Sequence, residues 1–131
     1  MVLSSTPSLW RLIASPRLKA CHPCQRGSTV LRSGFFGIDV GVDGVSVTSN
    51  KIMNSPQGIV LEQGVEAAAV QGNSITNSAI GIQFNCNFDL NVHSNIISDA
   101  GMGLQQFPGF TIPSNKYFNV GIIVPLRGGG C

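Results

Sequence analysis

Between residues 37 and 124 the chain repeats itself about every 22 residues, and that period restricts it to architectures in which like units stack on one another. The clearest marker is an asparagine three residues after a β-branched residue and two before an apolar or aromatic one. It occurs as Val47-Thr48-Ser49-Asn50-Lys51-Ile52, Val70-Gln71-Gly72-Asn73-Ser74-Ile75, Val92-His93-Ser94-Asn95-Ile96-Ile97 and Ile112-Pro113-Ser114-Asn115-Lys116-Tyr117. The four asparagines follow one another at intervals of 23, 22 and 20 residues. A second marker, glycine followed by an aliphatic residue, recurs out of phase as Gly37-Ile38, Gly58-Ile59, Gly81-Ile82, Gly103-Leu104 and Gly121-Ile122.

Aligning the units on their asparagines gives chemically consistent columns. Val45, Ala68, Leu90 and Phe110 stand five positions before; Val47, Val70, Val92 and Ile112 stand three before; Ile52, Ile75, Ile97 and Tyr117 stand two after. The glycine marker adds Ile38, Ile59, Ile82, Leu104 and Ile122, then Val40, Leu61, Phe84, Gln106 and Val124 two residues on. Alternate spacing within each stretch is the period of a strand with every second side chain inward, and no window offers a helical i, i+3, i+4, i+7 stripe. Each unit is therefore two or three short strands joined by turns.

Asn, Gly, Ser and Asp supply the turns, since Asn tolerates the left-handed region and Gly takes positive φ freely. A second polar column, Asn54, Asn77, Asp99 and Asn119, follows the first by four residues. Side chains at equivalent points of successive coils can join in hydrogen-bonded ladders, so Asn50, Asn73, Asn95 and Asn115 are the candidate structural ladder. The alternative is that these side chains are exposed turn formers.

With these columns the chain resembles the right-handed parallel β-helix repeat family, which includes pectate-lyase-like enzymes, copper-associated NosD-like proteins and many secreted repeat proteins. The resemblance rests on the Asn-x-Ile and Gly-Ile columns. It implies an all-β fold: a right-handed parallel β-helix (solenoid) of about four coils over residues 37–124, with a non-repeat leader before it. It implies an extracellular or periplasmic setting. It implies no particular reaction, because the family hosts lyases, hydrolases, epimerases and non-enzymes. No Met or His cluster supports a copper role, and the Leu-x-x-Leu-x-Leu pattern of a leucine-rich repeat is absent.

A chain of 131 residues allows one domain. Four coils at about 4.8 Å per layer make a cylinder only about 20 Å tall. Its two ends would expose sheet edges and core, and nothing in the sequence resembles a cap. This pattern is that of a piece of a longer β-helix, or of a stack whose open ends are buried by self-association. Residues 1–36 hold Arg11, Arg17, Lys19, Arg26 and Arg32 and no acid, whereas the repeats hold all six carboxylates. That contrast points to a basic leader, disordered or targeting-like, although Arg11 breaks the apolar run of a secretory signal. Residues 125–131 form a Gly-rich tail. No stretch approaches the roughly 20 apolar residues of a membrane span, and no aromatic platform accompanies the basic leader to bind nucleic acid.

Cys21-His22-Pro23-Cys24 is a CxxC outside the strand-to-helix setting of a redox motif, and Cys86, Cys131 and His93 are not at zinc-finger spacing. The four cysteines are expected to be incidental thiols, with Cys86 at a turn between Asn85 and Asn87, and no metal site is expected. By alternation with Val92, His93 points outward.

The carboxylates are the one group with chemical potential. Asp43 and Glu66 lie seven residues before their units' asparagines, and Asp39 and Glu62 eleven before. Stacking should bring each pair together into an acidic patch that could capture a hard cation such as Ca²⁺. By the family resemblance, polysaccharide-active members use carboxylates on adjacent coils for acid/base hydrolysis or to hold calcium against an acidic sugar. The bland alternative is a set of solvated charges at a loop. A second candidate is a glycan face of Gln83, Asn85, Asn87 and Gln105 beside Phe88 and Phe107, which lie off the core columns. The reading is a non-catalytic module, structural or polysaccharide-binding, with no cofactor. Its alternatives are a fragment of a polysaccharide lyase, hydrolase or epimerase, and a homo-oligomeric assembly element.

Overall fold

The computed structural model describes residues 2–3, 10–12, 24–87, 89–105 and 114–123, and every regular element in them is a β-strand. In chain order these are β1 (Val2–Leu3), β2 (Trp10–Leu12), β3 (Cys24–Arg26), β4 (Thr29–Val30), β5 (Phe36–Val40), β6 (Ser46–Thr48) and β7 (Lys51–Met53). They continue with β8 (Gln57–Leu61), β9 (Ala69–Gln71), β10 (Ser74–Gln83), β11 (Asn91–His93), β12 (Ile96–Gln105) and β13 (Lys116–Ile122). All the strand pairs are parallel. Among the described residues no helix is long and apolar enough to cross a membrane.

The strands wind into a solenoid of about four turns. One face is the sheet β3-β6-β9-β11. The other nine strands form a second sheet that wraps a corner, because the long strands β10, β12 and β13 each run across two faces. Inward side chains from the three faces stack coil on coil: Val47 on Val70 on Val92, Ile52 on Ile75 on Ile97, and Ile38 on Ile59 on Ile82 on Leu104. All of them are buried in one continuous core. Full burial of such a side chain is worth about 1.5–3 kcal/mol, so these columns supply the main cohesive energy.

The first corner is an asparagine ladder, as the repeat predicts. Asn50 Nδ2 donates to Asn73 Oδ1 (3.0 Å), Asn73 Nδ2 to Asn95 Oδ1 (2.9 Å) and Asn95 Nδ2 to Asn115 Oδ1 (2.9 Å). The same oxygens also receive the backbone N–H of the coil before, and the amides of Asn73 and Asn95 reach back to the carbonyls of Val47 and Val70. Asn50, Asn73 and Asn95 are almost fully buried, so these bonds meet the requirement that buried polar groups be paired. The second corner is the second polar column. Asn54, Asn77, Asp99 and Asn119 all adopt left-handed backbone, with φ of 57, 57, 53 and 51°. These side chains are exposed, and two pairs bond across coils, Asn77 to Asn54 and Asn119 to Asp99, each at 2.7 Å.

The glycine column has a different cause from the one its composition suggests. Gly37, Gly58 and Gly81 sit inside strands rather than at turns, and none has positive φ. A Cβ on Gly81 would stand 2.6 Å from the Gly103 carbonyl oxygen and 2.8 Å from Ile97 Cγ2. Close approach of adjacent coils excludes any side chain there.

The stack reaches back beyond the first marked unit. β3 pairs with β6, β4 with β7, β1 with β4 and β2 with β5. Ser28 takes the asparagine's place, its N–H donating to Asn50 Oδ1 (2.9 Å), and buried Val30 registers with Ile52. At the other end the alignment of Ile122 with Leu104 does not hold: Ile122 registers with Met102 and is exposed. Gly121 follows Asn115 by six residues where Gly103 follows Asn95 by eight, so the Gly121-Ile122 marker falls one strand period early while the two strands stay in step. Gln106, Phe110, Ile112 and Val124 lie outside the described residues.

Candidate functional site

On the third face of the coil, β5, β8 and the C-terminal halves of β10 and β12 lie side by side. Because Ile38, Val40, Ile59, Leu61, Ile82 and Leu104 point inward, alternation turns Asp39, Val60, Gln83 and Gln105 outward, and these four register in one row. The row is nonetheless withdrawn from solvent: Asp39 is 3%, Val60 5% and Gln105 7% exposed. Beside it opens a depression of about 570 Å³. The strands contribute Phe36, Asp39, Gln57, Val60 and Gln83 to its wall, and the turns contribute Glu62, Gln63 and Asn85.

The third corner builds the rim. Asn87, fully buried, accepts the Asn85 N–H on its Oδ1 (2.6 Å) and donates from Nδ2 to the carbonyls of Glu62 (2.7 Å) and Val65 (3.0 Å). Asn85 donates to the Leu61 carbonyl (2.9 Å) and accepts from Gln83 Nε2 (3.3 Å). Gln83 Oε1 is buried without a donor. Ala67, Cys86 and Asp89 hold left-handed backbone in these turns, with φ of 53, 53 and 51°. Cys86 is disulfide-bonded, which corrects the expectation that it is an incidental thiol. Cys21 and Cys131 lie outside the described residues.

The two sequence-derived candidates converge in part. Asp39 and Glu62 share the depression, but they do not stack as the count from the asparagines requires. Asp39 registers with Val60, and the Glu62 N–H donates to the Val40 carbonyl (2.8 Å). Gly37 and Gly58 are 21 residues apart whereas Asn50 and Asn73 are 23 apart, so two extra residues enter after Leu61 and shift the acids out of line. Asp43 and Glu66 do meet, in another way: Asp43 Oδ1 accepts the Glu66 N–H (2.8 Å), with both side chains exposed in a turn outside the depression. Among the described residues no three of His, Cys, Asp and Glu gather as a metal site would need.

Of the glycan face, Gln83 and Asn85 line the depression. Asn87 and Gln105 are buried, the first locking the turn and the second lying in the withdrawn row. Phe88 and Phe107 lie outside the described residues. The aromatic element at the depression is a pair that sequence reasoning passed over: Phe36 in the wall, with Phe35 beside it at a centroid distance of 6.4 Å and 68% exposed. Their signal was their place next to the first Gly marker, but they fell within the segment set aside as a leader. His93 is on a different face, its Nδ1 2.9 Å from Ser94 Oγ.

The wall of this depression combines side-chain amides, two carboxylates and an aromatic ring on a rigid stacked surface. Such a surface can bond hydroxyl groups and stack on an apolar ring face. Searches of curated proteins and of solved structures find no match to the chain. A family model described as the right-handed beta helix region matches residues 19–129, most of the chain and all of its marked coils. The parallel solenoid, its asparagine ladder and that match agree, and the chain belongs to the right-handed β-helix family.

Proposed function

We propose that this protein is a non-catalytic β-helix module that holds a segment of polysaccharide in the depression between Phe36 and Asn85. The observation that carries the reading is the convergence of Gln57, Gln63, Gln83 and Asn85 with Asp39 and Glu62 around one open hollow, beside an exposed Phe35. Amides and carboxylates are the groups that bond sugar hydroxyls, and a ring offers a face for stacking. The Cys86 disulfide supports a secreted or periplasmic setting, since such bonds persist in oxidising compartments. Retention of the full chain on a panel of immobilised polysaccharides tests the reading. Loss of retention in Phe35→Ala and Gln63→Ala, both exposed positions, is the expected result; unchanged retention sinks it.

Asp39 and Glu62 in the same hollow favour a second reading, a polysaccharide-cleaving site with the two acids sharing proton transfer. It requires cleavage products from a bound polysaccharide, and their loss in Glu62→Gln.

A further inference from the structure

We propose that the hollow between Phe36 and Asn85 takes an amino sugar, a glycan unit bearing a free protonated amine, and discriminates against acidic sugars of the uronate type. This rests on the glycan-binding reading given above and names the class of sugar. The first observation is the hydrogen-bonding character of the wall. Asp39 and Glu62 bring carboxylate oxygens, which accept and cannot donate. Gln83 Oε1 is a further acceptor, buried without a donor. Of the amide groups, Gln83 Nε2 already donates to Asn85 Oδ1 (3.3 Å), and Asn85 Nδ2 to the Leu61 carbonyl (2.9 Å). The hollow is thus rich in acceptors, and a ligand that fits it is a donor.

A second, independent observation is the distribution of charge. Of the six carboxylates, Asp39 lies on this face, and Asp43, Glu62, Glu66 and Asp89 lie in the turns of the third corner that borders it. Asp99 alone is elsewhere, at the second corner. Among the described residues Arg11 of β2, which registers with Asp39, is the one cation on the strands of this face. Arg26, Arg32, Lys51 and Lys116 line no part of the hollow. The whole chain carries a net charge of +2, so a negative potential here is local to the hollow and its rim.

The two observations select the same ligand. A protonated amine offers three N–H donors and a positive charge, and charge-assisted bonds to a carboxylate are the strong ones. Glu62, in the turn and partly exposed, is placed to meet it, whereas Asp39, 3% exposed, acts through its field. A uronate would set acceptor against acceptor and like charge against Glu62. The Phe36 ring gives the sugar a face to stack on, which a simple amine would not use.

Isothermal titration calorimetry on the full chain tests this with three oligosaccharides of equal length. They are a glucosamine oligomer, its fully N-acetylated form, and an oligogalacturonate with and without Ca²⁺. The glucosamine oligomer should bind tightest. N-acetylation, which removes the charge and keeps the sugar backbone, should weaken binding ~3-fold or more, and the oligogalacturonate should not bind. Glu62→Gln should abolish the preference for the free amine, whereas Asp99→Asn, at the second corner, should preserve it. Equal binding of the free and acetylated forms, binding of the oligogalacturonate in either condition, or an equal loss in the two variants overturns the proposal and leaves the glycan reading standing. So does binding of none of the three by a chain that is retained on another polysaccharide. Retention on no polysaccharide overturns both. Should Glu62→Gln fail to fold, the contrast between free and acetylated oligomers in the wild type decides.

Discussion

Asn95 Oδ1 receives two hydrogen bonds from Asn73, one from its backbone N–H at 3.0 Å and one from its side-chain amide at 2.9 Å. One oxygen therefore ties both the chain path and the side chain of the coil above. Replacing Asn73 with Ala removes the acceptor of Asn50 as well as its own donors, and leaves buried backbone groups unpaired. A loss of about 2–4 kcal/mol is expected in chemical denaturation. Asn54→Ala, at the exposed second corner, should cost well under half as much.

Gly81→Ala should destabilise by about 1–3 kcal/mol, because the new methyl meets the Gly103 carbonyl and Ile97. Gly64→Ala is the contrasting case. Its φ is 82° and nothing stands within 4 Å of the added carbon, so the cost is the backbone strain of about 1 kcal/mol. A thermal melt that ranks the two the other way would show that the coils can separate to admit a side chain.

Burial pushes the Tyr117 phenol above its ordinary 10.0, and the Asn115 side chain beside it pulls it partly back. A raised phenol pKa means that the folded chain keeps its proton where the unfolded chain loses it. Stability should therefore be constant up to about pH 10 and fall as pH rises beyond it. Tyr117 is the chain's only tyrosine, so a near-ultraviolet absorbance titration reads it directly. The fall should be absent in Tyr117→Phe.

Reduction of the Cys86 disulfide should lower the unfolding free energy by about 2–4 kcal/mol. Equal denaturation midpoints with and without reductant would show that the bond does not form in the protein as purified.

The parts of the fold legible from the sequence were those that repeat. Ile52, Ile75 and Ile97 recur at fixed distance from Asn50, Asn73 and Asn95 because parallel stacking puts like residues over like, so core and ladder could be read together. The rung at Ser28 was not legible because a serine stands where the marker requires asparagine, although the backbone bond to Asn50 is kept. The Asp39–Glu62 pairing failed for a related reason: counting from Asn73 carries no information about two residues inserted after Leu61. Asn87 is set by bonds to the Glu62 and Val65 carbonyls more than twenty residues away, and no local pattern announces them.

The three corners of the coil are not equivalent in what they tolerate. From Asn50, Asn73 and Asn95 to the left-handed residue of the second corner is four residues, and from there to Gly58, Gly81 and Gly103 is four again. The third corner alone changes length: Val40 to Val45 is five residues, Leu61 to Ala68 seven and Phe84 to Leu90 six. That corner forms the rim of the depression. Sequence can therefore be added, removed or exchanged there, reshaping the wall of the hollow, while the ladders that hold the coils together remain in step.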